Sequence, residues 1–161
     1  MRSIVYNSSL KTEIGTVFIT ANDEKILGVH FVTDCPPDNE NYLTKALKQE
    51  LLEYFQKKRT YFSIFPLILS SAEEKIFDKI LAIPYGMTIT YFTLAKELGN
   101  VNDVNEIAKI IQNNPYLILI PCHRVLGKNK SLYNYQAGVK IKEELLKLEQ
   151  DNCANKKSML N

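Results

Sequence analysis

The feature that most limits how this chain can fold is a change of apolar period near residue 40. Before it, "SIVYNSSL", "TVFITAN" and "ILGVHFV" are short β-branched and aromatic runs broken by Asn, Ser, Gly and Asp, the pattern of a small antiparallel sheet. After it, apolar residues recur at helical spacing: "ENYLTKALKQELLEYFQKK" sets Leu43, Leu47, Leu51 and Phe55 at steps of four along one face. The expected fold is therefore α/β of the α+β kind, with an N-terminal antiparallel sheet and helix followed by a mostly helical C-terminal domain.

The stretch from Thr60 to Ser71, which contains Pro66, has no clean period and marks the boundary between a scaffold domain (1–68) and a second domain (69–152), with 153–161 as a flexible tail. In "SAEEKIFDKILAIPYG", Ser71 is placed to cap a helix with Glu74 reaching back, and Pro84 and Gly86 end it. Two shorter helices follow, "TYFTLAKELG" and "DVNEIAKIIQNN", with a turn at Gly99 and Asn100, and the pair resembles a helix-turn-helix. In the second, Asp103 and Glu106 form a capping box, and Val104, Ile107, Ala108 and Ile111 face inward. Asn105, Lys109 and Gln112 then point outward, an arrangement that suits base edges and suits any surface helix equally.

With 161 residues and 45% hydrophobic content, the chain can build packed cores. No apolar stretch approaches the roughly 20 residues of a membrane span. "MRSIVYNSSL" lacks a secretory hydrophobic segment, so the expected compartment is the cytoplasm. Cys35, Cys122 and Cys153 lack CxxC spacing, which fits free thiols and argues against a structural metal. A net charge of +2 does not by itself point to nucleic acid, and Arg124, Lys128, Lys130, Lys140 and Lys142 read as a solvated basic face.

"LILIPCHRVLGKN" carries the chemistry. Ile118, Leu119 and Ile120 read as a buried strand, from whose end Cys122 and His123 emerge partly sheltered. A thiol attacks as thiolate and reaches that form beside a base or a positive charge, and Cys122 is the cysteine with such neighbours. Consecutive side chains of an extended segment point apart, so His123 acts through a water or the local turn. The bland alternative is a small buried hydrophobe beside a satisfied polar group. In the last helix, "VKIKEELLKLEQ", Glu149 projects into the apolar arc of Ile141, Leu145, Leu146 and Leu148. Lys142 lies in the same arc, either as its surface pair or as part of a functional group.

"IPCHRVLG" resembles the active-site signature of the O6-methylguanine-DNA methyltransferases. The resemblance extends through "IPYGMTITYFTLAKELGN", "NNPYLILIPCHRV" and "YNYQAGVKIKEELLKLE", and more weakly to "GTVFITANDEKILGVHFV". It implies a monomeric two-domain protein, without cofactor or metal, that binds double-stranded DNA, flips out an alkylated guanine and moves the alkyl group irreversibly onto Cys122. O4-methylthymine is a candidate second substrate. By resemblance His123 is the water-linked base, Glu149 orients it, Asn114 braces the turn before the active-site loop, and Tyr91 helps rotate the nucleotide and protonates the departing base. Main-chain carbonyls of Cys122 and Val125 accept from the guanine amino group, Tyr135 lines the base pocket, and Lys109, Gln112, Arg124 and Gln136 fall among the substrate and DNA contacts.

Two departures stand out. Asn105 occupies the position of the arginine that the family inserts into the duplex. Tyr133, Gln136 and Ala137 stand where smaller residues are usual, so a narrower pocket is expected to disfavour bulky O6-benzyl adducts. Two rivals fit the same sequence: an alkyltransferase-like protein that binds lesions without repairing them, and a thiol hydrolase or redox protein.

Overall fold

The computed structural model describes residues 2–99, 103–132 and 134–160, so Asn100 of the expected turn and Tyr133 of the expected pocket lie outside the described residues. Two compact units are present. The first runs to Ile68 and takes in Pro115–Leu119; the second comprises Leu69–Asn114 and the chain from Ile120 onward. A division at residue 68 alone misses the return of five residues to the first unit, because such a return leaves no local period to read.

In the first unit, β1 (Tyr6–Lys11), β2 (Thr16–Ala21) and β3 (Ile26–Val32) form an antiparallel sheet in the order β1-β2-β3. Alternation along β2 buries Val17, Ile19 and Ala21 on one face, and helix α1 (Tyr42–Phe55) packs against β1 and β2 with Leu43, Leu47 and Leu51. Asn41 caps α1 reciprocally: its side chain accepts from Thr44 N–H, and Thr44 Oγ1 accepts from Asn41 N–H. Steps of four drift off a 3.6-residue period, so the last buried position is Tyr54 rather than Phe55. Pro115–Leu117 adds a single parallel bridge to β3, with Val29 N–H on Pro115 O and Leu117 N–H on Val29 O.

The second unit contains α2 (Ser71–Leu81), β4 (Ile89–Thr90), α3 (Tyr91–Glu97), α4 (Val104–Gln112), β5 (Val125–Leu126) and α5 (Val139–Leu160). Three capping and boundary expectations need correction. Ser70, not Ser71, caps α2, accepting from Glu73 N–H while its hydroxyl donates to Glu73 Oε1. Asp103 precedes α4 at φ −106°, ψ 23°, outside the extended region a side-chain cap requires, and makes no such bond. The tail after Gln150 is helical to Leu160. No Pro or Gly interrupts it, and Asn152 is buried, so the helix has a reason to continue past Leu148. Among the described residues, no helix is long and apolar enough to cross a membrane.

A turn from Pro84 to Met87, closed by Met87 N–H on Pro84 O, separates α2 from β4 and has Gly86 at φ +81°. A Cβ there would stand 2.5 Å from Cys153 Sγ on α5. Gly86→Ala is therefore expected to cost about 2 kcal/mol or more, from the left-handed backbone and the clash together. Thermal melts should show Tm lower by roughly 4–8 °C.

Candidate active site

The segment from Leu117 to Arg124 is buried but is not a strand. Leu119 N–H bonds to Leu117 O across Ile118, which sits at φ +71°, and Cys122 N–H bonds to Ile120 O across Pro121 at φ −79°, ψ 60°. These are two γ-turns in succession, the first of the strained positive-φ kind and forced on a β-branched residue. Cys122–Arg124 then forms a single 3₁₀ turn leading into β5. The apolar run that reads as a strand is instead a folded loop, held by side chains where a ladder would otherwise hold it.

Asn114, fully buried just after α4, donates from Nδ2 to Ile120 O at 3.0 Å and to Cys122 Sγ at 3.2 Å. One amide thus fixes both the loop backbone and the sulfur. From the same 3₁₀ turn, His123 Nε2 meets Glu149 Oε2 at 2.7 Å, and Arg124 Nε donates to Glu149 Oε1 at 2.7 Å. The Arg124 Nη2 group pairs with the same carboxylate and Nη1 donates to Ile83 O at 2.9 Å. His123 and Glu149 are both fully buried, and His123 Nδ1 has no hydrogen-bond partner among the described residues. With Nε2–H donated to the carboxylate, the lone pair of a neutral imidazole lies on Nδ1.

Burial pushes the Cys122 thiol up; the Asn114 bond and the Lys142 charge pull it back, leaving it at about 11. At neutral pH the resting sulfur is a thiol and needs a base to react. Burial pushes His123 down, Glu149 raises it, and Arg124 and Lys142 lower it again, so the imidazole rests neutral, below its ordinary value. Burial raises the Glu149 carboxyl, but bonds from His123 and Arg124 outweigh this and hold it below the usual carboxylate range. The arrangement combines a neutral thiol, a neutral base and a fixed anion.

Lys142 corrects two expectations at once. It is neither on a solvated face nor paired at the surface with Glu149: it is fully buried, donates to Val125 O at 2.7 Å, and sits 6.0 Å and 5.9 Å from the ring centroids of Tyr91 and Tyr135. Burial lowers it to about 8, against the raising effect of the Cys122 charge. Between its folded value near 8 and its ordinary 10.5, the unfolded chain binds more protons, so stability rises with pH. Cys122, raised from 9.0 to about 11, acts in the opposite sense once pH passes 9. Urea unfolding should therefore show stability climbing by about 1 kcal/mol from pH 8 to 9 and then levelling. In Lys142→Met that climb should be absent.

β4 and β5 pair in parallel, Ile89 opposite Val125 and Thr90 opposite Leu126, which sets Tyr91 at the start of α3 beside the loop. Tyr135 is buried, and its hydroxyl has no hydrogen-bond partner among the described residues. Gln136 donates its amide to Gln112 O and Asn114 O, tying the loop before α5 to the end of α4. Asn105 and Lys109 are exposed on α4, and Gln112 is half-buried. Arg124, expected among the substrate and DNA contacts, is buried with its donors committed to Glu149 and Ile83, since a guanidinium beside a buried carboxylate has no better partner. The Cys122 and Val125 carbonyls already accept from Val125 N–H and Lys142, each retaining a second lone pair.

The family model for the 6-O-methylguanine DNA methyltransferase DNA binding domain matches residues 71–151, and that for its ribonuclease-like domain matches residues 5–69. The chain belongs to the 6-O-methylguanine DNA methyltransferase family. A methylated-DNA–protein-cysteine methyltransferase of Methanosarcina acetivorans is 32% identical over 155 residues, 90% of this chain and 98% of the relative. A probable one from Acanthamoeba polyphaga mimivirus is 34% identical, covering 89% and 95%. The fold matches the crystal structure of Mycobacterium tuberculosis O6-methylguanine methyltransferase with TM-score 0.81 at 22% identity, over 92% of this chain and 94% of that one.

Sequence reasoning about this 6-O-methylguanine DNA methyltransferase family member passed over Tyr85 and Asn152. Asn152 is buried on α5 and donates to Tyr85 OH at 2.9 Å, and Arg124 lies over the Tyr85 ring at 5.6 Å. Asn152 stands three residues past Glu149, on the same helix face, so the arc that exposed Glu149 also contained the signal for Asn152.

Proposed function

We propose that this protein repairs double-stranded DNA by flipping out an alkylated guanine and transferring the alkyl group from O6 to Cys122 Sγ, once per molecule. What carries the reading is a buried relay: Cys122 and His123 share one short turn, Asn114 bonds to the Cys122 sulfur, and Glu149 of α5 bonds to His123. A carbon bound to O6 needs a soft nucleophile aligned behind the C–O bond, and a stacked base cannot present that line of approach. Sγ forms the new C–S bond as the C–O6 bond breaks. The thiol proton passes through a water to His123 Nδ1, and the bonding electrons left on the base are neutralised by a proton delivered through Tyr91. Return of the His123 proton to Tyr91 through solvent leaves thioether plus guanine, with both side chains neutral again and no cofactor.

Asn114 holds the sulfur in line, Glu149 stabilises the imidazolium as it forms, and the Lys142 charge stabilises developing thiolate. Tyr135 forms a pocket wall. On α4, Asn105 takes the place of the inserted arginine, with Lys109 one turn on and Gln112 nearby. The protein is expected to act as a monomer in the cytoplasm.

The decisive test is incubation with a duplex containing labelled O6-methylguanine, followed by mapping of the label. One label per protein, on Cys122 and without turnover, is the expected result. Tight binding with no transfer would favour a lesion-binding protein, a reading that Asn105 supports, and repeated turnover would favour a hydrolase. Either would overturn the proposal. With Gln136 tied across the pocket loop and Ala137 beside it, O6-benzylguanine duplex should react at least about five-fold more slowly than the methyl adduct, since overpacking costs about 1–3 kcal/mol. Single-turnover rates for the two duplexes check this.

A further inference from the structure

Asn152 is a polar side chain, 5% exposed, at a position an apolar residue would fill at lower cost, and its amide is spent on one phenol hydroxyl. That phenol belongs to Tyr85, the second residue of the Pro84–Met87 turn, which Gly86 seats against Cys153 one residue beyond Asn152. The ring faces the Arg124 guanidinium, 5.6 Å from its centroid. Arg124 is thereby enclosed by Glu149, Ile83 O and the Tyr85 ring.

We propose that Tyr85 and Asn152 are positioning residues for the transfer reaction, which hold the Arg124 guanidinium on Glu149 and so divide that carboxylate between Arg124 and His123. This rests on the reading of His123 as the base. A carboxylate facing a buried imidazole alone stabilises the imidazolium, and an imidazolium cannot accept the thiol proton. Among the described residues, the charged groups that act on His123 are Glu149 and Lys142 from α5 and Arg124 from its own turn, with the Cys122 thiol next to it in the chain. Of these only Glu149 favours protonation, and Arg124 is the cation that shares its oxygens. The ring supplies a cation–π face, and the Asn152 bond fixes the ring's rotation.

Two readouts test it: the pH dependence of single-turnover transfer from O6-methylguanine duplex between about pH 5 and 9, and the NMR titration of the His123 ring. In Tyr85→Leu, the His123 titration and the acid limb of transfer should both move up by about half to one pH unit. Transfer on the acid limb itself should then fall several-fold, with the rate at pH 8.5 within about two-fold of the unaltered protein. Asn152→Ala and Tyr85→Phe, which keep an aromatic ring, should shift both in the same direction by less. A uniform fall at every pH with the His123 titration unmoved, or no change in either, would overturn the proposal. Should Tyr85→Leu not fold, the two ring-retaining variants decide the matter. If the unaltered protein transfers nothing, the alkyl-transfer reading fails instead, and the His123 titration still reports whether Tyr85 and Asn152 govern the Arg124 contact.

Discussion

Cys122→Ala is expected to bind methylated duplex with little change in affinity and to take up no label. The sulfur is the group that Asn114 aims and Lys142 faces, and no hydroxyl or amine in the turn matches it as a soft nucleophile. The cost to the fold should be small, on the order of 1 kcal/mol for removing one buried atom. Asn114 keeps its bond to Ile120 O, so the loop retains its brace. Gel-shift affinity and label incorporation, measured on the same preparation, separate the two properties. Label recovered on the variant protein would sink the assignment of Cys122.

Glu149→Ala should slow transfer by two orders of magnitude or more, the scale of a lost general-base relay, and should also destabilise the fold by about 3–5 kcal/mol. Both effects come from one carboxylate: His123 loses the anion that stabilises its charged form, and Arg124 is left as a buried cation without a counterion. Glu149→Gln separates them, since it keeps the shape and one acceptor oxygen while removing the charge. Rate loss should persist there with less destabilisation, and DNA affinity should hold because the side chain is enclosed. The pH dependence has a definite sign. A carboxyl held below its ordinary 4.5 contributes stability above that value and loses it as pH falls through the folded value. Acid unfolding of Glu149→Gln, followed by circular dichroism, should lack that component, and an unchanged profile would remove the ion pair from the account.

What the sequence made legible was the part written in local periods. Glu149 stood out because a helix repeats every 3.6 residues, so a carboxylate on an apolar arc is visible without any partner being known. The same rule identified the face of Lys142 but not its partner. The partner is a main-chain carbonyl 17 positions away, and periodicity carries no such information. The γ-turn at Ile118 was illegible for a different reason: β-branched residues avoid positive φ, so local preference pointed to a strand and only tertiary packing reverses it. Arg124 looked like a surface cation because charge alone does not reveal burial. The polar end of α5 looked loose because hydrophilic composition hides a single buried amide at Asn152. Cys122 itself carried no decisive local signal, and its meaning came from the longer "IPCHRVLG" resemblance.

The active-site loop lacks a backbone ladder, and long side chains hold it instead: Asn114 on Ile120 O, Arg124 on Ile83 O and Lys142 on Val125 O. This has a consequence for genetics. A survival screen under alkylating stress, scoring random substitutions, should return these three positions as frequently as Cys122, His123 and Glu149. Intolerance in such a screen will outline the whole scaffold of the loop, and reacting atoms and struts will be told apart only by variants that are purified and shown to be folded.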